Sequence, residues 1–136
     1  MRYLIDTNIL GKYITGDYIS RDIEAILDDY ENQIYISSES MKELIYLMKN
    51  KKITPLREYR SKTAFDIVEN VLKVQIKYIT KQHLQTFAEL IPAIGHKDPS
   101  DHVIISQAIS ERLPLISSDL KFPKYENQGL ILIMNK

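Results

Sequence analysis

Five acidic residues sit where an apolar run gives way to a polar step or a helix start. Asp6 closes the run YLID and is followed at once by Thr7 and Asn8, after which the apolar pattern resumes. Glu43 falls in the first turns of the segment SSESMKE after the run QIYIS; Asp98 and Asp101 fall within HKDPSDH, and Asp119 ends LPLISSD. Taken singly, each has a plain structural role open to it. Asp6 can start a helix, Ser40 and Glu43 fit a capping box, Asp98 with Pro99 fits a helix start with Asp101 facing the positive end of the helix, and Asp119 can cap a turn. Taken together they pose a different problem, because close carboxylates repel: at ~4 Å and an effective dielectric of ~20, one pair costs roughly 4 kcal/mol. A hard divalent cation such as Mg²⁺ or Mn²⁺ removes that cost, accepts carboxylate and water oxygens, and serves phosphoryl chemistry by clamping the attacking and leaving oxygens. The reaction class suggested is metal-assisted hydrolysis of a phosphodiester.

One kind of fold would bring these acids together. Apolar continuity and β-branched content mark YLID, QIYIS, VQIKYIT, LPLIS and GLILIM as strands. Helical periods lie between them: SRDIEAILDDYE, SSESMKELIYLMK, the stretches 56–72 and 82–91, and DPSDHVIISQAISE. Alternation of helices with strands apolar on both faces predicts a three-layer α/β/α sandwich with a mostly parallel sheet, five-stranded by this count. In such a sheet the residues that follow each strand share the carboxyl edge however far apart they are in sequence.

The chain of 136 residues suits a single domain over 1–136 with one substantial core. It has no cysteine, which removes thiolate and Cys-type zinc chemistry and leaves a metal to oxygen or histidine. No run approaches membrane-spanning length, and Arg2 and Asp6 bracket the first apolar run too tightly for a signal peptide, so a cytoplasmic protein without membrane contact is expected. The formal net charge is zero, yet cations cluster: Lys49, Lys51, Lys52, Arg57, Arg60 and Lys62 crowd KNKKITPLREYRSK, whereas 17–31 is acidic. The cationic stretch is either a solvated surface or a grip on nucleic-acid phosphates. His96 and His102 flank the acidic turn without the paired spacing of a zinc site, and an ion that supplies the nucleophile makes a histidine base unnecessary.

YLIDTNIL, the glutamate on the helix after the second strand, HKDPSDHVIISQA and PLISSD, in this order across almost the whole chain, resemble the PIN-domain nucleases. The compact length resembles the VapC-like toxins of toxin-antitoxin pairs. The resemblance implies a Mg²⁺- or Mn²⁺-dependent endoribonuclease that lowers translation by cutting a structured RNA, commonly transfer or ribosomal RNA. It further implies a homodimer restrained by a cognate antitoxin that places a basic side chain in the acidic groove. Carried over residue by residue, Asp6, Glu43, Asp101 and Asp119 would be the catalytic, metal-holding acids. Asp98 would be an auxiliary acid, Asn8 the orienting amide beside the first aspartate, and Ser117 the hydroxyl before the last. The chain departs from the family where many relatives have Asp-Pro-Phe-Asp-Arg: it has Ser100 and His102. A housekeeping RNA-processing PIN nuclease shares every one of these features. A phospho-receiver module fits less well, because it needs a phosphate-accepting aspartate in mid-chain and a late lysine.

Overall fold

A computed structural model describes all residues, 1–136. Five strands, β1 (Arg2–Ile5), β2 (Gln33–Ser37), β3 (Gln75–Lys77), β4 (Leu115–Ser117) and β5 (Leu132–Met134), form one sheet in the order β3-β2-β1-β4-β5. Every neighbouring pair is parallel, with Ile5 opposite both Ile36 and Ile116. The order runs outward from β1 in both directions, so the chain reverses its winding beside β1, where open α/β sheets place their crevice.

Five α-helices cover the sheet: α1 (Thr7–Thr15), α2 (Arg21–Asp28), α3 (Ser38–Lys49), α4 (Lys81–Glu89) and α5 (Pro99–Glu111). Side chains alternate along each central strand, as a pleat requires. Ile5, Ile34, Ile36 and Ile116 pack with Ile9, Leu10, Ile14, Met41 and Leu44 on one face. Leu4, Tyr35 and Leu115 pack with Ile104, Ile105, Phe122 and Tyr125 on the other. Both faces are thus covered, which gives the three layers that the apolar strands predict. No helix is long and apolar enough to cross a membrane.

The structure differs from the sequence reading in three respects. The stretch 56–72 is not one helix: a 3₁₀ turn, Arg57–Tyr59, precedes a π-helical segment, Asp66–Val71. Thr63 starts the second piece, its hydroxyl accepting from Asp66 N at 3.1 Å, so a side chain competes with helix continuation there. The sequence left α1 open, as a helix that Asp6 could start, and did not announce the 3₁₀ segment Phe122–Gln128. Three strands are shorter than their apolar runs: β3 is reduced to Gln75–Lys77, β4 to Leu115–Ser117 and β5 to Leu132–Met134. Gly16 ends α1 in the left-handed region at φ 79°, and a Cβ there would lie 3.0 Å from Leu56 Cδ2.

Candidate active site

β1 ends inside the sheet, so the residue after it is delivered into the protein. Asp6 is only 3% exposed. It is both things its sequence position suggests: the residue that caps α1 and a buried acid at the sheet's carboxyl edge. Its Oδ1 accepts from Thr7 N and its Oδ2 from the Ser117 hydroxyl, both at 2.8 Å. Burial pushes its pKa up to about 7; the Ser117 hydrogen bond and the Thr7 amide oppose the rise, and the negative charges of Asp101 and Glu43 add to it.

Glu43 comes from the second turn of α3, whose start is fixed by Ser37: its hydroxyl accepts from Glu39 N at 3.1 Å. Since Ser37, not Ser40, caps the helix, Glu43 is not half of a capping box. It turns toward α1, where the Thr7 hydroxyl donates to its Oε1 at 2.8 Å, and Ser40 Oγ lies 2.8 Å from the same hydroxyl. Burial raises the Glu43 pKa; Thr7 opposes this, while the charges of Asp101, Asp98 and Glu39 reinforce it.

Asp98 caps α5 as its sequence context predicts, with Oδ1 accepting from Ser100 N at 2.9 Å and Pro99 following. Asp101, one turn in, accepts from His96 Nε2 at Oδ2, 2.9 Å, which leaves Oδ1 without a protein donor. Burial raises its pKa, the His96 hydrogen bond opposes, and the charges of Asp98 and Asp119 add to the rise. Asp119 follows β4 in a tight turn, its Oδ1 accepting from Lys121 N at 2.9 Å and its N–H donating to Ser117 Oγ at 3.0 Å. The Ser117 hydroxyl therefore ties the loop of the last acid to the carboxylate of the first. Asn8 works beside it, its Oδ1 accepting from Ser118 N at 3.2 Å.

The structure thus brings acids from four elements to one edge, and the neighbouring negative charges add to the raised proton affinity of Asp6, Glu43 and Asp101. All donors are oxygens, with His96 already committed to Asp101. No three acidic or imidazole side chains close on one point as a ready-made cage. What fits a hard divalent cation is the donor chemistry, carboxylate oxygens without sulfur. Each Asp6 oxygen retains a second lone pair beyond its hydrogen bond.

Other singled-out residues sit elsewhere. Lys49, Lys51, Lys52, Arg57, Arg60 and Lys62 are all exposed and none is paired with an acid; Arg60 Nε donates instead to Pro55 O at 3.2 Å. Lys49 lies six residues beyond Glu43 on α3, roughly 9 Å along the axis, and Leu56 N donates to Ile14 O at the end of α1, so the stretch lies at the far ends of α1 and α3, away from the acidic edge. Ser100 donates to Glu39 Oε1 at 2.9 Å and fastens α5 to α3. His102 is buried, its ring 4.6 Å from that of His96. Sequence reasoning missed Thr7, Ser40 and Tyr125. Thr7 had a signal, as the residue after the first acid; Tyr125, fully buried and 2.8 Å from His96 Nδ1, had none, being one of nine tyrosines. An apolar cavity of about 250 Å³ under α1, lined by Ile9, Leu10, Leu27 and Val74 among others, is remote in character from this chemistry and belongs to the core.

No curated protein sequence matches the chain. Among solved structures, the fold is similar to that in VapBC2 from Rickettsia felis bound to a DNA fragment from their promoter, at 24% identity over 100% of both chains and a TM-score of 0.71. It is also similar to VapBC-1 from nontypeable Haemophilus influenzae, at 20% identity over 98% of each chain and 0.70. DNA-bound VapBC from Salmonella typhimurium gives 18% identity, 98% of each chain and 0.69. The model of the PIN domain matches residues 3–128, a span that contains all four strand-end acids, and the chain therefore belongs to the PIN domain family.

Proposed function

We propose that this chain is a metal-dependent endoribonuclease and the toxin of a toxin-antitoxin pair. One observation carries the reading: Asp6, Glu43, Asp101 and Asp119 reach one sheet edge from four elements, and the first three have raised proton affinity from burial and mutual charge. These four residues would hold Mg²⁺ or Mn²⁺. The ion, when bound, supplies Lewis-acid stabilisation of the phosphodiester and lowers the pKa of water to be used as nucleophile. The protein's own part is to aim the donors. Ser117 holds Asp6, Thr7 holds Glu43, His96 holds Asp101, and Asn8 with Ser117 holds the turn of Asp119. Asp98 adds negative charge at the rim while capping α5.

The substrate is RNA, with transfer or ribosomal RNA the class in view, and the exposed cations from Lys49 to Lys62 would contact its phosphates. The toxin reading is supported by the similar structures, which are described as VapBC complexes and, in one case, as a toxin-antitoxin complex from Klebsiella pneumoniae. A cognate antitoxin that offers a basic side chain to the acidic edge, a homodimer and a cytoplasmic site of action complete the proposal. Purified protein should cleave RNA only with Mg²⁺ or Mn²⁺, and full activity in excess chelator overturns the metal mechanism. A short DNA-binding protein encoded beside this one would support the toxin role; its absence, with cleavage confined to precursor RNA, would favour a housekeeping enzyme.

A further inference from the structure

Asp101 is held by a buried chain of hydrogen bonds that begins at a backbone amide. Ala93 N donates to the Tyr125 hydroxyl at 2.9 Å, and that hydroxyl lies 2.8 Å from His96 Nδ1. His96 Nε2 lies 2.9 Å from Asp101 Oδ2. Tyr125 is fully buried and His96 is 2% exposed, so water does not take part in the inner two bonds. The direction of each bond follows from counting protons. The amide can only donate, so it uses an acceptor site on the phenol oxygen; the phenol's own proton then has a single acceptor within reach, Nδ1. With a lone pair required at Nδ1, the ring carries its N–H at Nε2, where a carboxylate oxygen faces it. The other neutral tautomer would set two lone pairs against each other at Asp101 and two protons against each other at Tyr125.

We propose that Tyr125 and His96 are positioning residues for the reaction: Tyr125 fixes the tautomer of His96, and His96 in turn fixes the rotation of the Asp101 carboxylate so that Oδ1 alone is presented to the acidic edge. The proposal rests on the nuclease reading for its consequence and on geometry for its mechanism. Imidazoles that orient a carboxylate through one nitrogen are aimed by what binds the other. Here the aiming group is itself anchored to the backbone of 90–97, the loop that leads into α5. His96 is packed against the rings of His102 (4.6 Å), Tyr125 (5.4 Å) and Phe122 (6.0 Å), and a flip of its ring would break both hydrogen bonds.

The test uses the full chain and separates mechanism from consequence. Nitrogen-15 NMR of the His96 ring should show a protonated Nε2 and a bare Nδ1 in wild type, and a loss of that preference in Tyr125→Phe. A bare Nε2 in wild type, or an unchanged ring in the variant, overturns the proposal whether or not the protein cleaves RNA. For the consequence, Tyr125→Phe and His96→Leu should lower kcat, and the affinity for Mg²⁺ read calorimetrically, by about 10- to 100-fold, with KM for RNA unchanged. His96→Gln, whose amide can still accept from Tyr125 and donate to Asp101, should recover most of that loss. If His96→Leu changes only the melting temperature, or if Gln rescues no better than Leu, the two residues are packing and the proposal fails.

Discussion

The molecule contains two buried histidines that each span a fixed donor and a carboxylate, and the two ends differently. His83 Nδ1 accepts from Thr80 N at 3.0 Å, so its Nε2–H faces Glu111 Oε2 at 2.8 Å. His96 repeats the arrangement with Tyr125 on one side and Asp101 on the other. Burial raises both carboxylates, yet Glu111 ends below its ordinary value and Asp101 above it. The difference is Lys77, whose Nζ lies 2.8 Å from Glu111 Oε1; Asp101 has Asp98 and Asp119 in that role instead. The same kind of imidazole therefore completes an ion-pair staple between α4 and α5 in one place and, in the other, leaves a carboxylate with acids and no lysine or arginine beside it.

The largest effect should come from removing an acid at the deficient end. Asp6→Asn should lower RNA cleavage by more than about a hundredfold, given that even groups one step removed from a metal cost about 10- to 100-fold. RNA binding should persist, because the exposed cations remain. Glu111→Gln, at the completed end, should leave cleavage untouched. Equal losses in the two variants, measured under single-turnover conditions, would erase the distinction between the histidine pairs.

Stability in chelator should move with the opposite sign. Asp6 in the folded chain holds its proton to about pH 7 rather than the ordinary 3.8, so between those values the unfolded chain has released a proton that the native state keeps. Stability of the metal-free protein must then fall as pH rises through this window, by roughly 4 kcal/mol at most when the shift is taken at face value. Asp6→Asn lacks this loss and should melt higher than wild type at pH 8. Added Mg²⁺ should stabilise wild type by mass action and the variant less. A variant that melts lower at pH 8, with neither protein responding to Mg²⁺, would make Asp6 a helix cap and nothing more.

What the sequence reveals and what it hides follows the same division. Strand ends are legible because apolar runs are, and a parallel sheet sends every strand's carboxyl end to one edge; that logic places Asp6, Glu43, Asp101 and Asp119. Asp98 is legible as a cap because its neighbour is proline. Ser117 and Asn8 were available only through the family resemblance, and the structure gives each a physical task. Tyr125 was hidden because its role depends on a partner 29 residues away, and Thr7, though signalled by its place after Asp6, has a partner 36 residues away, a distance at which no periodicity speaks. The stretch 56–72 misled for the converse reason: its helical spacing is real, but Thr63 restarts the backbone in the middle.

A smaller effect should follow from making the completed pair deficient. Lys77→Met leaves Glu111 with His83 alone and should cost about 1 kcal/mol at pH 7, the partial exposure of both groups limiting the figure. Because Glu111 sits below its ordinary value of 4.5 in the folded chain, its contribution is present above that pH and is lost as pH falls through the folded value. The deficit of the variant, read from urea denaturation, should therefore shrink on acidification. Lys77→Met with Glu111→Gln should recover part of the loss, since the uncompensated charge is then gone. A deficit that is independent of pH would assign Lys77 to packing over the Tyr35 ring, 4.7 Å from its ammonium.

The smallest effect concerns cations that neither histidine pair uses. Lys51 follows α3 in the left-handed region, at φ 53°, a conformation that costs a side chain about 1 kcal/mol and that glycine adopts freely. Lys51→Gly relieves the strain but returns part of the gain as unfolded-state entropy, about 0.5 to 1 kcal/mol, so the folded chain should gain at most a few tenths of a kcal/mol. If the ammonium contacts a phosphate, the same change should reduce the salt dependence of RNA binding by roughly 0.7 in log–log slope for single strands. Stability and RNA affinity then move in opposite directions in one variant, with the Mg²⁺ response of the acidic edge unaltered. An unchanged salt slope returns Lys51 to solvated surface, and a weakened Mg²⁺ response would show that the stretch and the acidic edge are not the separate regions that the geometry describes.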